Sequence, residues 1–255
     1  MYYRNDKPEA EMLEELLEEA AGYLAQGYDF LKVKIGKNIE FDRELVSRFR
    51  DRFPEAKIAA DSNHAYNFKE ALDMAQLLES LDYVWFEEPL APDNILDMAR
   101  LRESTTVPIA AGECEQSRFG FERLARAGSL DIFQPDIAYC GGLTEFQKIV
   151  AIASAAHADV VPHCWGLNLN QAVAASAISM LPKNPGRFES RPVFLEMDQT
   201  EHAIRDTVFP KAHIIKDGKF YFNDAVGLGV EVDETAMLQF LHESSNDTKG
   251  FAEVE

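Results

Sequence analysis

The heptapeptide F-L-K-V-K-I-G, at residues 30–36, places two lysines at alternate positions of an apolar run. Successive side chains of a β-strand point to opposite faces, so Lys32 and Lys34 share one face with Phe30, and the intervening apolar residues share the other. The stretch predicts a strand that turns two lysines toward the interior of a barrel.

Similar apolar runs recur along the chain, and each ends in a polar residue capable of chemistry: Lys34, Asp61, Glu87, Glu113, Asp136, His163 and Glu196. The successive differences in residue number are 27, 26, 26, 23, 27 and 33. Each interval accommodates a strand, a helix and two short loops, which is the repeat of a (β/α) barrel. Because reactive residues of such barrels lie at the carboxyl ends of the strands, the period predicts one shared site.

The coarse pattern also predicts where the elements lie. A helix is expected over Pro8 to Gln26, and strands over 30–36, 57–63, 83–89, 107–113, 131–136, 159–163 and 192–197, with residues 2–4 as a candidate eighth strand. After residue 197, alternation and turn glycines at 217–222 and 227–234 predict short strands outside the barrel repeat. We therefore expect a barrel domain over residues 1–200 and a C-terminal segment over residues 201–255.

Composition excludes some classes of partner. The 255 residues, 46% of them hydrophobic, suit one well-buried domain of barrel size. A net charge of −19 argues against nucleic-acid and anionic-membrane surfaces, because phosphate binding needs clustered lysines and arginines. No apolar run reaches the roughly 20 residues of a membrane span, and the N-terminus is unlike a signal peptide.

Cysteine usage favours a reducing compartment. The three cysteines, Cys114, Cys140 and Cys164, form an odd set without C-x-x-C spacing, so neither a disulfide framework nor a thiolate zinc site is indicated. We expect small thiols packed in the barrel. A cytoplasmic protein is the corresponding prediction.

Three carboxylates on consecutive strand ends carry the strongest chemical signal. Asp61, Glu87 and Glu113 would bring several negative charges into one small space, which is unfavourable unless a hard cation neutralises them. Such residues are also often paired with Arg or Lys from neighbouring loops. Because the three stand in register, the sequence favours an Mg²⁺ site.

His163 and Asp136 end adjacent predicted strands. A carboxylate beside an imidazole fixes its tautomer and raises its basicity, as a general base requires. A structural histidine is the alternative interpretation of the same pair. The neighbouring metal site favours the catalytic one.

Seven motifs, in this order and spacing, resemble the mandelate racemase subgroup of the enolase superfamily. They are K-V-K at 32–34, D-S-N at 61–63, W-F-E-E-P at 85–89, A-G-E at 111–113, Q-P-D with C-G-G at 134–142, P-H-C-W-G at 162–166, and G-L-G-V-E at 227–231. The resemblance implies a TIM-type barrel of the modified (β/α)7β kind. Enolase-superfamily sites use a Lys or His base with one or two Mg²⁺ ions.

The resemblance also implies a role for each matched position. Metal ligands fall on Asp61, Glu87 and Glu113. Lys34 matches the base on one face of the substrate, with Lys32 lowering its pKa by like-charge repulsion, and His163 with Asp136 matches the base or acid on the opposite face. Glu196 matches the carboxylic acid that hydrogen-bonds the enediolate, and Glu189 is the alternative for that role.

Within the subgroup, D-S-N-H-A-Y at 61–66, P-H-C-W-G and E-M-D-Q-T-E at 196–201 resemble galactarolactone cycloisomerases and related acid-sugar dehydratases. This resemblance places Asn63, His64 and Trp165 near the substrate. The implied reaction is Mg²⁺-dependent abstraction of the proton α to a carboxylate in a sugar acid or its lactone, followed by β-elimination or ring opening of the enediolate. A racemase or epimerase would need the same two bases, and it stays open.

A non-catalytic barrel is the alternative from a different class. Full-length members of the subgroup begin with an α+β capping domain, and this sequence begins at about the first barrel strand. We therefore expect that the chain lacks the capping domain and that the apolar surface of the C-terminal tail, which would contact that domain, is exposed. We also expect the chain to form a homo-oligomer and to have little activity alone.

Overall fold

The computed structural model describes residues 7–181, 193–209 and 213–240. The helices are α1 (Glu9–Ala25), α2 (Ile39–Arg52), α3 (Phe68–Ser80), α4 (Ile95–Glu103), α5 (Ser117–Ala127), α6 (Gly142–Ala155), α7 (Asn168–Ser179), α8 (Ala203–Val208) and α9 (Glu234–Met237), followed by a 3₁₀ turn at Leu238–Phe240. The strands are β1 (Phe30–Lys34), β2 (Lys57–Asp61), β3 (Phe86–Glu87), β4 (Ile109–Ala111), β5 (Ile132–Phe133), β6 (Asp159–Val160), β7 (Ile214–Lys216) and β8 (Lys219–Tyr221).

Six strands form one parallel sheet in the order β1-β2-β3-β4-β5-β6, with a helix after each strand. This arrangement confirms the predicted α/β barrel class. Lys34 pairs in register with Asp61, and Asp61 pairs with Glu87. The register therefore brings one reactive residue from each of the first three strands to the same level of the sheet.

The strand alternation predicted for residues 30–36 is confirmed by packing. Leu31, Val33 and Ile35 are buried in the core between the sheet and the helices. Phe30 instead packs in a smaller inner cluster with Trp85 and with residues from β2, β4 and β5. Lys32 and Lys34 share the face of Phe30 and consequently point into the barrel.

The helices begin and end at residues that satisfy their free backbone groups. At the start of α3, Asn67 accepts hydrogen bonds from Lys69 N and Glu70 N, and the Glu70 side chain accepts one from Asn67 N, which is a capping box. At the end of α5, Gly128 takes a left-handed conformation with φ of 63°. These ends fix where each loop enters and leaves the strand ends.

The predicted strand over 192–197 is wrong for the described residues 193–197, which form no ladder. Side-chain contacts nevertheless hold this segment between β6 and β1. Phe194 stacks on Phe30 with ring centroids 4.5 Å apart, and Glu196 accepts a hydrogen bond of 2.9 Å from Cys164 N. Aromatic packing and one carboxylate thus replace the ladder at this position. The candidate strand at residues 2–4 and the alternative acid Glu189 lie outside the described residues.

The C-terminal segment contains an antiparallel hairpin of β7 and β8, close to the predicted strand at 217–222. Its turn packs against the loop before β1, where a Cβ on Gly218 would lie 2.3 Å from Gly27 O. The strand predicted at 227–234 is wrong, because Gly227 and Gly229 have φ of 75° and 67° and turn the backbone. Val226 is 99% exposed, and the partner surface expected for the tail stays a prediction. A domain boundary near residue 200 stays a prediction.

Candidate active site

Three carboxylates meet at the carboxyl ends of β2, β3 and β4. Asp61 and Glu87 are the last residues of their strands and are fully buried, and Glu113 lies two residues beyond β4. One oxygen from each carboxylate lies within 4.8 Å of the others. The structure therefore brings together the three residues that the sequence predicted as metal ligands.

Gly112 is what returns Glu113 to the interior. In β4 the inward residue is Ala110, so continued alternation would turn position 113 outward. Gly112 has φ of 125°, and a Cβ there would lie 2.8 Å from the Phe121 ring. Only glycine fits this turn, and the turn brings the third carboxylate to the other two.

The three carboxylates fit a hard divalent cation. Burial and the charge of Asp61 raise the pKa of Glu87 to about 7, so ionisation of this carboxyl is unfavourable in the metal-free site. Glu113 Oε2 is buried and accepts no hydrogen bond from any residue that the structure describes. Three carboxylates this close together, one of them with a buried oxygen that lacks a hydrogen bond from the described residues, form the environment that Mg²⁺ and similar cations neutralise.

Lys32 and Lys34 supply positive charge to the same place. Lys32 Nζ lies 2.5 Å from Glu87 Oε1, 2.5 Å from Glu196 Oε1 and 3.3 Å from Asp61 Oδ2. Burial alone would lower the pKa of Lys32, but these carboxylates outweigh it and raise that pKa well above its ordinary value. Lys32 is therefore a fixed cation.

Lys34 Nζ lies 2.5 Å from Asp61 Oδ2 and 2.6 Å from Asn63 Oδ1. Burial would raise the pKa of Asp61, but the two lysines outweigh it and lower that pKa. The like-charge effect of Lys32 on Lys34 stays a prediction.

His163 and Asp136 form the predicted pair. Each lies three residues beyond its strand, and His163 Nδ1 lies 2.7 Å from Asp136 Oδ2. His163 Nε2 faces Glu113 Oε2 at 3.4 Å. Burial would lower the pKa of His163, but the bond to Asp136 and the nearby carboxylates of Glu196 and Glu113 raise it to about 9. The imidazole thus carries a proton at neutral pH.

Glu196 lies at the position predicted for the seventh strand end, beside Lys32. Burial would raise the pKa of Glu196, and the positive charges of Lys32 and His163 outweigh that effect and lower it. The role that the resemblance implied, a carboxylic acid that hydrogen-bonds the enediolate, stays a prediction. The bond from Cys164 N fixes the orientation of Glu196.

Sequence reasoning missed two donors to Glu87. Trp85 Nε1 donates to Glu87 Oε2 at 2.9 Å, and Gln134 Nε2 donates to the same oxygen at 2.8 Å. Both side chains stand two residues before a predicted site residue, Glu87 and Asp136 respectively. The period-2 alternation of a strand would have placed them on the interior face.

The predicted substrate residues differ in placement. Asn63 bridges Lys34 and Glu88, because its Nδ2 donates to Glu88 Oε2 at 3.2 Å. His64 Nε2 lies 3.2 Å from the same Glu88 oxygen. Trp165 is 49% exposed and contacts His202, so it lies at the rim. Asn63 and His64 thus lie beside the carboxylate of Glu88, whereas Trp165 lies at the rim.

Glu88 is a buried acid that the sequence interpretation left without a role. Burial and the charge of Glu113 raise its pKa to about 8. Asn63, His64 and Glu88 all have left-handed backbones, with φ of 41°, 66° and 44°. Non-glycine residues hold such conformations only where the surroundings impose them, and these cluster at functional sites. Cys140 and Cys164 are buried as expected, but that prediction is wrong for Cys114, which is exposed.

Residues 15–236 match the profile of the family described as Enolase C-terminal domain-like. The chain belongs to the enolase C-terminal domain-like family. The resemblance deduced from the motifs is therefore confirmed. Among the described residues of this enolase-type barrel, no helix is both long enough and apolar enough to cross a membrane.

Curated relatives of this enolase-type chain act on sugar acids by name. D-galactarolactone cycloisomerase of Agrobacterium fabrum is 31% identical over 223 residues, which cover 87% of this chain and 59% of the relative. Arabinonate dehydratase of Saccharolobus solfataricus is 34% identical over 241 residues, covering 94% of this chain and 61% of the relative. The chain thus spans about three fifths of the length of these relatives.

Solved structures agree with the family. The 3,6-anhydro-D-galactonate cycloisomerase from Zobellia galactanivorans superposes with a TM-score of 0.82 at 38% identity, covering 91% of this chain and 64% of that one. A mandelate racemase homologue from Bordetella bronchiseptica, solved with 2-oxoglutarate or phosphate, gives a TM-score of 0.84 at 26% identity, covering 96% of this chain and 62% of that one. The enolase-type barrel is the shared part.

Proposed function

We propose that this chain carries the proton-abstracting site of a sugar-acid dehydratase or cycloisomerase. The observation that supports it best is the placement of two proton-transfer groups on opposite sides of the three carboxylates. Lys34 contacts Asp61, and His163 faces Glu113. A substrate carboxylate held between them would present its α-carbon to both groups.

A cation fits Asp61, Glu87 and Glu113, and we propose Mg²⁺. When bound, it would act as a Lewis acid on the carboxylate oxygens of the substrate and make the α-proton removable. Lys32 holds Glu196 and Glu87 in place through its two contacts of 2.5 Å, which limits rearrangement of the site as charge develops.

Lys34 and His163 divide the proton transfers. Lys34 Nζ, as the neutral amine formed once its own proton has passed to solvent, takes the α-proton, giving the enediolate of the substrate. His163, already protonated because Asp136 stabilises the imidazolium, gives a proton to the departing β-oxygen or to the oxygen released by ring opening. Both reactions need the same acid and base, so the position of the leaving oxygen in the substrate decides between dehydration and ring opening.

Proton NMR in D₂O with Mg²⁺ tests the proposal on D-galactarolactone, arabinonate and 3,6-anhydro-D-galactonate. Lys34→Ala and His163→Asn should each lower turnover by about 10²- to 10⁴-fold, which is the usual contribution of a positioned acid or base. One of them should still exchange the α-proton with solvent through the remaining group. Lys148→Ala, on the outer face of α6, is the matched control.

Two results would contradict the proposal. Near wild-type turnover in both variants would remove Lys34 and His163 from the chemistry, and consumption of other carboxylic acids but of none of these three would remove the substrate class. A product with inverted configuration and no loss of water would instead identify a racemase or epimerase.

A further inference from the structure

A second group of metal-binding side chains adjoins the three carboxylates. His64, Glu88 and Cys114 follow the ends of β2, β3 and β4, the same strands that position Asp61, Glu87 and Glu113. A nitrogen, a carboxylate oxygen and a sulfur from these residues lie within 4.8 Å of one another. The two groups share their strands but differ in chemistry, since only the second contains nitrogen and sulfur.

Two of the three distances within this group match the edges of a tetrahedral site. His64 Nε2 lies 3.2 Å from Glu88 Oε2 and 3.7 Å from Cys114 Sγ. With Zn–N of ~2.05 Å, Zn–O of ~2.1 Å and Zn–S of ~2.3 Å, a tetrahedron has an N–O edge of about 3.4 Å and an N–S edge of about 3.6 Å. Both separations agree with these edges within a few tenths of an ångström.

The backbone is built to hold the group together. His64 N donates to Glu88 O at 2.8 Å, and Ser62 Oγ donates to the same carbonyl at 3.0 Å. These bonds join the loops after β2 and β3 while His64 and Glu88 keep left-handed conformations. Left-handed φ at Glu88 is what turns its side chain, only 1% exposed as a residue, toward His64. The strained backbone conformations of His64 and Glu88 bring a buried carboxylate next to an imidazole.

Solvent reaches the group through its third member. Cys114 is exposed, whereas Cys140 and Cys164 are buried. A cation can therefore enter at the sulfur and meet Glu88 at the buried end. Asn63 Nδ2 donates to the same Glu88 oxygen and would orient it as an outer partner of the metal.

We propose that His64, Glu88 and Cys114 form a second metal site, specific for a borderline-soft divalent cation such as Zn²⁺ and open at its fourth position. Nitrogen and sulfur ligands select such cations over Mg²⁺, which prefers an all-oxygen set. The site is separate from the three-carboxylate group and does not rest on the proposed function.

Cobalt substitution tests the site directly. Co²⁺ is added to the unaltered chain in a large excess of Mg²⁺, so that oxygen-only sites are filled, and thiolate-to-Co²⁺ charge-transfer absorption is recorded together with the amount of Co²⁺ bound. We expect one Co²⁺ per chain with that absorption. Cys114→Ser should abolish the absorption, and both Cys114→Ser and His64→Gln should weaken binding at least ~10-fold, as loss of even outer partners does.

Cys140→Ser is the matched control, because it removes another thiol outside the group, and it should keep both absorption and affinity. Glu113→Gln should keep the absorption as well, which separates the two groups. Absorption that survives in Cys114→Ser, or Co²⁺ binding that excess Mg²⁺ abolishes, would overturn the proposal. Circular dichroism of each variant shows whether it is folded, and no readout requires turnover.

Discussion

At the scale of single residues, the site is a set of charges that hold one another in place. Lys32 contacts three carboxylates, and His163 lies between Asp136 and Glu113. Each ionised group therefore has an opposite charge within about one hydrogen-bond length. A substitution here changes the charge state of its neighbours as well as its own position.

Asp136→Asn in metal-free buffer should lower the pKa of His163 from about 9 by roughly 1–3 units, since it removes an adjacent negative charge. Because the folded-state pKa is raised above the ordinary 6.5, the pair stabilises the fold fully below pH 6.5 and loses that contribution as pH rises through about 9. The free-energy difference of unfolding between wild type and variant should therefore shrink from pH 6 to pH 10.

NMR titration of the imidazole and urea unfolding at several pH values measure the two effects. Asp97→Asn, which removes the half-buried partner of the exposed Arg100 on α4, is the control and should leave the His163 titration unchanged. An unaltered His163 pKa in Asp136→Asn would show that burial and the other carboxylates, not Asp136, determine its charge.

The sequence reveals a residue's role where strand alternation alone sets its direction. Lys32 and Lys34 follow the period of β1, and Asp61 and Glu87 end their strands on the inner face. Glu88 could not be placed this way, because alternation turns it outward and only its left-handed φ of 44° brings it back. Lys32 and His163 lower the pKa of Glu196, and both are distant from it in sequence. No local sequence pattern could therefore have predicted this shift.

At the scale of elements, boundaries were predictable where a local signal marks them. The helix expected over Pro8 to Gln26 is α1 at Glu9–Ala25, and β1 and β2 begin where predicted. The strands β3 to β6 are shorter than the apolar runs that contain them, because pairing partners define a ladder and the runs extend beyond their partners. The strand predicted over residues 193–197 is not observed, because aromatic packing holds these residues in place without a ladder.

Asn67→Ala should destabilise the fold by about 1 kcal/mol, because it removes the capping box of α3 and leaves two backbone N–H groups without a protein acceptor. Gln116→Ala is the matched control at the start of α5, where the side chain makes no capping hydrogen bond. Chemical unfolding of both variants gives the comparison. Equal losses in the two would mean that the cap at Asn67 contributes nothing specific.

At the scale of the whole molecule, cation binding should stabilise the barrel. A cation that binds only the folded chain adds about 2.7 kcal/mol at 100 times its dissociation constant. The raised pKa of Glu87, about 7, means that this carboxyl must lose a proton to ligate, so the gain should be larger at pH 8 than at pH 6.

Thermal melts with and without Mg²⁺ measure this gain. Glu113→Gln should abolish most of it, and Glu44→Gln, an exposed acid on α2, should keep it. If Mg²⁺ leaves the melting temperature unchanged in the wild type at both pH values, the ligand assignment is wrong. Homo-oligomer formation and a cytoplasmic location stay predictions, and sedimentation of the same samples tests the first.

The parallel register that aligns Lys34, Asp61 and Glu87 also determines which mutations leave the site intact. One codon inserted at the start of β1, before Lys32, would shift the alternation of the strand, turning both lysines outward and Val33 and Ile35 inward. A point substitution removes one group, whereas this insertion removes two at once. Loops that follow the strands have no parity, so their length can drift. We therefore expect evolution to inherit the strand-borne chemistry as a block and to vary the loop-borne residues that select the substrate.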